Sequence, residues 1–467
     1  MKIGIVCEGS YPFVSGGVSS WVHGLMKGMP DLEFIILSII PPSQRRDYQY
    51  ELPDNVSNVR VFPIHIGGES KKKKKFKRKL TDDELQLLFS FFQMHSTSRE
   101  VLQLIHEIAS EHDIEAFFDS RYFWDIVKKC SETQNVHNFI EFFYMFKGMY
   151  MPIFTLLKNE LPELDIVHSV STGYAGILAS TIASQQSIPF ILTEHGIYTR
   201  EREEEILLSE WIPSSFKQRW IDYFHHIGAI SYDHADNIVS LFERNSQIQK
   251  EKGASSNKLR IIPNGVIPPT PITYRGKKED YFHIGSIVRV VPIKDIKTML
   301  YAARELKNRS VAFKWSILGP MDEDKEYAWE CMRLLEQFGL QDYVTFLGKV
   351  HVPDYLPLFD VVVLSSLSEG QPLSILEAFS YEVPCVTTDV GGCRELIIGR
   401  QDDSCGTAGF IFSPTDVIEL VENLMMLKDN EEMRKTKGVN GRNRVLQHYQ
   451  QEEVIRAYRE LYERGEK

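Results

Sequence analysis

Val361-Val-Val-Leu-Ser-Ser-Leu-Ser-Glu-Gly-Gln-Pro-Leu-Ser-Ile-Leu-Glu-Ala-Phe379 is the stretch on which the reading of this chain turns. Its apolar start, Val361–Leu364, has the composition of a strand buried on both faces of a parallel sheet. Pro372 suits the first position of a helix, where a missing N–H costs nothing. Glu369 then lies in the loop at a strand's carboxyl end, and Glu377 lies about a turn and a half into the following helix. The rise from Pro372 to Glu377 is roughly 7–8 Å, too far for two carboxylates to share one bond. Their spacing fits two parts of one elongated ligand. Between them, the free N–H groups of residues 370–374 (Gly370, Gln371, Leu373 and Ser374 around the proline) favour an anion. A sugar nucleotide has that layout: polyol, diphosphate, ribose. A loop glutamate without a ligand, followed by a solvent-facing helical glutamate, would look the same, so support must come from elsewhere in the chain.

Outward from this stretch, strand-like and helix-like segments alternate, which points to α/β layers with parallel sheets. Strands are expected at Ile3–Cys7, Glu33–Ile40, Val59–Pro63, Ile166–Ser169, Phe190–Thr193 and Asn237–Ser240. A second series is expected at Phe282–Ser286, Lys314–Leu318, Val344–Leu347, Val361–Leu364, Cys385–Thr387 and Gly409–Ile411. Pro268-Pro-Thr-Pro271 and Arg275-Gly-Lys-Lys-Glu-Asp280 form the most linker-like stretch between the two series. The economical fold is two Rossmann-like doubly wound domains with a cleft between them, residues 1–275 and 276–447. Residues from about 68 to 160 break the alternation, with a helical pattern rich in aromatics, and read as an insertion in the first domain. Thr81-Asp-Asp-Glu84 has the spacing of a capping box. The aromatics there, Phe91 and Phe117 among them, read as core.

The 467 residues suffice for two or three domains, each with a full core. A net charge of −11 argues against general nucleic-acid binding, which wants a basic surface. The cysteines at 7, 130, 331, 385, 393 and 405 form no Cys-x-x-Cys and sit beside no His at zinc-finger spacing, so free thiols in a reducing cytosol are expected. No apolar run approaches the roughly 18 residues that span a bilayer. The expected location is cytoplasmic.

Other residues gather at expected strand ends. Gly16-Gly17 joins a loop to a helix and would let phosphates approach a helix N-terminus, although a plain tight turn fits as well. Arg289 and Lys294 follow a strand, and a guanidinium fork plus a mobile ammonium can both reach a diphosphate; two solvated cations would look alike. His195, in Thr193-Glu-His-Gly-Ile197, could hydrogen-bond a sugar hydroxyl or be structural. Glu194 beside it is ambiguous, and Arg200–Glu205 reads as a solvated helical face. Phe346-Leu-Gly-Lys-Val350 ends a strand where a backbone turn could meet a planar base. Asp389-Val-Gly-Gly-Cys-Arg-Glu395 reads as a structural turn. Lys71-Lys-Lys-Lys-Lys-Phe-Lys-Arg-Lys79 places eight cations in nine residues. It reads as a solvated loop or as an electrostatic foothold on anionic lipid or an acidic membrane-bound partner.

As an ordered set, Gly16-Gly17, His195, Asn264-Gly265, Arg289 with Lys294, Phe346–Val350, and Glu369 with Glu377 resemble the family-four retaining glycosyltransferases of GT-B fold. Glu8–Val22 and Thr193–Arg202 look closer still to the PelF branch, cytosolic enzymes that help polymerise a cationic, amino-sugar-containing exopolysaccharide. The resemblance implies transfer of a hexose from UDP-glucose or a UDP-N-acetylhexosamine to a growing Pel-like polysaccharide acceptor. It implies no cofactor and no metal. Arg289 and Lys294 would bind the diphosphate, aided by amides of Gly16-Gly17; Glu377 would accept from ribose hydroxyls, and Val350 would meet the uracil. Glu369, with amides of Gly370, Gln371, Leu373 and Ser374 around Pro372, would hold the transferred sugar, and His195 would touch it from the acceptor-side domain. Residues 448–467 would form a helix crossing back to that domain, and Lys71–Lys79 would contact a membrane-bound synthase or export complex. Asp295 departs from the pattern, since many relatives have Gly after the lysine. A sugar-nucleotide sensor or scaffold without turnover is the alternative. A Rossmann oxidoreductase is disfavoured because Gly-x-Gly-x-x-Gly is absent.

Overall fold

The computed structural model describes residues 1–43, 47–64, 75–132, 138–271 and 280–465. The chain forms two compact units, one of residues 1–261 with 457–467 and the other of residues 262–456. Each is a parallel sheet covered by helices.

In the first unit the strands are β1 (Lys2–Glu8), β2 (Glu33–Ile40), β3 (Val56–Pro63), β4 (Ile166–Ser169), β5 (Phe190–Glu194), β6 (Asn237–Ser240) and β7 (Leu259–Ile261). Their order is β3-β2-β1-β4-β5-β6-β7, all parallel, with Ile5 opposite Ile36 on one side and His168 on the other. Ile3, Ile5, Val6 and Cys7 are buried, as a strand covered on both faces requires. Strand β7 was not expected from sequence: three residues of Leu-Arg-Ile carry too short a pattern.

Among the described residues five helices stand between β3 and β4: Asp82–Phe92, Arg99–Glu111, Ile114–Phe118, Arg121–Glu132 and Phe139–Leu157. Thr81 closes the expected capping box with Glu84. Phe91, Phe92, Phe117, Phe118 and Phe123 are buried in one core with the sheet's own residues, whereas Trp124 and Tyr144 face outward.

The second unit contains β8 (Phe282–Ile287), β9 (Phe313–Leu318), β10 (Val344–Gly348), β11 (Val361–Leu364), β12 (Cys385–Thr388) and β13 (Gly409–Phe412). The order β10-β9-β8-β11-β12-β13 is doubly wound, and it reverses direction between β8 and β11. Ligands of such sheets bind beyond the carboxyl ends of the strands at that reversal.

The chain enters this unit at residue 262, ahead of the proline-rich stretch, because the intervening segment packs on the second unit. The Asn264 backbone N–H donates to Gln371 Oε1 at 2.6 Å, Val266 bridges to Gln450, and Arg442 donates to the Pro269 carbonyl at 2.9 Å. Of the expected linker, Arg275–Glu279 lies outside the described residues. The last helix, Gln451–Gly465, starts in the second unit and ends in the first. All six cysteines are free thiols. Among the described residues no helix is long and apolar enough to cross a membrane.

Candidate active site

In the second unit the sheet brings Arg289, Lys294 and Glu369 to the two strands that flank the reversal. Arg289 and Lys294 follow β8, and Glu369 follows β11. Lys294 Nζ donates to Glu369 Oε1 at 2.5 Å, and the Ser366 hydroxyl donates to the same oxygen at 2.6 Å. The pair is nearly closed off, with the lysine side chain 16% and the glutamate side chain 9% exposed. Arg289 is more open and is engaged by Glu323. Lysine and glutamate therefore neutralise each other, and an anionic ligand would have to compete for the lysine.

The loop between Lys294 and its helix resolves the departure at Asp295. Asp295 adopts φ 45 and ψ 56, the left-handed region where glycine is the default residue. Aspartate is among the few side chains that tolerate it, and here its carboxylate also accepts from Thr298 N at 3.3 Å and Thr298 Oγ1 at 2.6 Å. The backbone that glycine would allow is kept, with a helix cap added.

The Glu369 loop is held from behind. Gly391 has φ +52, and a Cβ there would stand 1.9 Å from the Glu369 carbonyl oxygen. Gly392 N donates to the Gly370 carbonyl at 2.8 Å. This bears out the structural reading of Asp389–Glu395. On the other side the Gln371 side chain accepts from Asn264 N, and the Gln371 carbonyl accepts from Asn264 Nδ2 at 2.9 Å. The Gln371 side chain thus fixes the loop.

Pro372 is the cap of the helix rather than its first residue, with ψ 117, and the helix runs Leu373–Ser380. A fixed proline φ suits either position, so sequence alone could not separate them. Ile375 N turns back to the Pro372 carbonyl at 3.3 Å, while the first-turn amides of Leu373 and Ser374 meet no backbone acceptor among the described residues. Glu377 is the fifth residue of this helix and half-buried, and its carboxylate has no hydrogen-bond or ion-pair partner among the described residues. Burial lifts its pKa from 4.5 to about 7. Val350 is half-buried after β10, where Gly348 turns at φ +68.

In the first unit Gly16 caps and Gly17 starts the Gly17–Lys27 helix. Gly16 is extended, and no atom lies within 4 Å of a Cβ built at either glycine. Neither backbone angle nor packing explains the missing side chains. The Gly16 N–H is lightly engaged by the Tyr50 hydroxyl at 3.4 Å.

His195 stands just past β5 with its ring 4.6 Å from Trp21, edge to face. Its Nε2 is buried without a hydrogen-bond partner among the described residues, and burial lowers its pKa to about 4, so the ring is neutral at pH 7. Beneath it Thr193 Oγ1 meets His168 Nε2 at 2.8 Å and the Tyr458 hydroxyl at 3.1 Å. Glu194 is structural: it is buried and accepts from Thr172, Tyr232 and Gln249 at 3.2, 2.6 and 3.0 Å. The expected solvated face at Arg200–Glu205 is corrected in one place, because Arg202 covers the Tyr198 ring at 5.0 Å and approaches Glu8.

The basic run is anchored at two points. Among its described residues Lys75, Lys77 and Lys79 are exposed, but Phe76 docks on His112 and Phe117, and Arg78 pairs with Glu84 and Glu107 at 2.6 and 3.1 Å. Lys71–Lys74 lie outside the described residues.

The sheet order is that of a doubly wound α/β protein, and comparison with known proteins makes the class definite. Residues 1–257 match the domain of unknown function DUF3492, and residues 273–444 match glycosyl transferases group 1. With more than half its length in the first match, the chain belongs to the DUF3492 family, and its second domain makes it a glycosyltransferase of GT-B fold. The MMP alpha-(1->4)-mannosyltransferase of Mycolicibacterium hassiacum is 23% identical over 318 residues, 66% of this chain and 73% of that protein. The UDP-Gal:alpha-D-GlcNAc-diphosphoundecaprenol alpha-1,3-galactosyltransferase of Escherichia coli is 23% identical over 327 residues, 66% of this chain and 77% of that protein. HepE of Anabaena, solved in complex with UDP-glucose, has a similar fold, with a TM-score of 0.61 at 14% identity over 99% of each chain.

Proposed function

We propose that this chain transfers a hexose from a UDP-sugar, either UDP-glucose or a UDP-N-acetylhexosamine, to a growing Pel-like exopolysaccharide, with retention of anomeric configuration and without a metal. The observation that carries this reading is the Lys294–Glu369 pair at the β8/β11 reversal, beside open helix amides and the unpartnered Glu377. A diphosphate draws Lys294 away from Glu369, which frees the carboxylate for the hydroxyls of the transferred sugar. Arg289 and the amides of Leu373 and Ser374 add to the positive field. Glu377 takes the ribose hydroxyls, and Val350 meets the base.

The acceptor hydroxyl attacks the anomeric carbon on the face the diphosphate leaves. The new C–O bond forms as the bond to UDP breaks, and the acceptor's proton passes to the departing phosphate oxygen. Arg289 and Lys294 stabilise the charge that grows there, a role metals fill elsewhere. Neutral His195 lends Nε2 to the sugar, and Gly16 and Gly17 offer amides to the phosphates. The basic run attaches the enzyme reversibly to the cytoplasmic face of a membrane or to a synthase or export complex there. The relatives named above are a mannosyltransferase and a galactosyltransferase whose name gives UDP-Gal as donor, which supports hexose transfer. The test is UDP release with a panel of UDP-sugars and an oligosaccharide acceptor, with and without EDTA, and NMR of the product's anomeric proton. Acceptor-dependent release that survives EDTA and an α-linked product are expected. UDP binding with no turnover of any donor would instead leave a sugar-nucleotide sensor.

A further inference from the structure

In the first unit the strand order reverses between β1 and β4, and the helix Gly173–Gln186 begins just after β4. That helix lacks a side-chain cap of its own; the Thr172 hydroxyl is turned toward Glu194, to which it donates. Glu8, the last residue of β1, supplies the missing acceptor. Its Oε2 accepts from Tyr174 N at 3.1 Å and from Ala175 N at 3.3 Å. Its Oε1 accepts from the Tyr198 hydroxyl at 2.9 Å, with Arg202 at 3.8 Å. Gly173 makes room for this: at φ +71, a Cβ would lie 2.3 Å from the Tyr198 ring. One carboxylate thus ties three elements together.

Tyr198 and Glu194 bracket the turn that carries His195. The front end of that turn is held by the three donors to Glu194, and the back end by Glu8 through Tyr198. Between them lie His195, Gly196 and Ile197. We infer that Glu8 is a positioning residue that sets where His195 stands, through Tyr198, in the transfer step. The inference rests on the proposed role of His195 at the transferred sugar. Removing the acceptor on Glu8 unlatches Tyr198 and lets the turn drift, and displacement of a reacting group by about 1 Å costs up to about 100-fold in rate.

The test is a double-mutant cycle read by initial rates of transfer, by UDP affinity in calorimetry, and by melting temperature. Tyr198→Phe deletes one hydroxyl and keeps the packing, so it is the primary variant; Glu8→Gln is the second. Each should lower kcat by about 10- to 100-fold while UDP affinity is unchanged. In a His195→Ala background neither should lower the rate further, because the residue they position is gone. If Tyr198→Phe and Glu8→Gln reduce the rate by the same factor with and without His195, the inference is overturned. A His195→Ala enzyme with wild-type turnover would instead remove the role of His195 itself, a failure of the proposed reaction that the cycle separates from a failure of the latch. Rates that simply follow a falling melting temperature in both backgrounds would leave Glu8 a folding residue and also overturn the inference.

Discussion

Glu377 is a carboxylate whose burial works against the fold once it is ionised. Burial raises its pKa from 4.5 to about 7, so the folded protein binds this proton more tightly than the unfolded chain does. The contribution of Glu377 to stability is therefore greatest below pH 4.5 and is lost as the pH rises to 7. Glu377→Gln should melt at a higher temperature than wild type at pH 8 and at nearly the same temperature at pH 4.5. It should also bind UDP about 10- to 100-fold more weakly at pH 8, the equivalent of about 1.5–3 kcal/mol for a charge-assisted bond. Calorimetry across pH and scanning fluorimetry read both effects, and unchanged affinity would remove Glu377 from the ribose. Lys294 obeys the opposite logic. Lys294→Ala strands the nearly closed-off Glu369 carboxylate and should destabilise by about 3 kcal/mol. Adding Glu369→Gln should restore the melting temperature but not turnover, which should stay about 100-fold down. A double variant that regains its rate of UDP release would show that the charges serve the fold alone.

At the scale of elements, two glycines that look alike in sequence should behave in opposite ways. Gly391→Ala drives a methyl into the Glu369 carbonyl at a positive φ, and should cost roughly 3 kcal/mol and weaken UDP binding. Gly17→Ala meets nothing within 4 Å and places a better helix former in the first turn, so the melting temperature should hold or rise slightly. Its turnover should nevertheless fall, and a normal rate would take Gly17 out of the phosphate contacts. The strands were legible because buried parallel strands are continuous apolar runs, and Glu33–Ile40, Ile166–Ser169 and Val361–Leu364 were read to the residue. Lys294 and Glu369 were legible as strand-end residues, but their bond to each other was not, since 75 positions separate them. Glu8 was missed for the same reason: its partners come from residues 174, 175, 198 and 202. Arg78 could not be distinguished from its lysine neighbours until Glu84 and Glu107 were seen to enclose it.

At the scale of the whole molecule, a net charge of −11 coexists with a concentrated basic strip. In its described part, apolar and paired residues alternate with outward lysines, so Phe76 and Arg78 tie the strip down while Lys75, Lys77 and Lys79 project. At roughly 1 kcal/mol per cation near an anionic surface, these outward lysines are the described part of the run that would carry the proposed attachment. Co-sedimentation with anionic vesicles should disappear when the lysines become Ser and when salt is raised. Equal pelleting of wild type and the neutralised variant would leave the strip a plain solvated segment. Glu8 has a consequence of another kind. Both units carry a doubly wound sheet of the sort that takes up nucleotides, but in the first one a carboxylate of the chain itself already sits at the helix N-terminus beside the strand reversal, the berth a phosphate would want. The protein thus carries a built-in counterfeit ligand in one of its two sheets, and calorimetric titration with UDP should saturate at one equivalent per chain, not two.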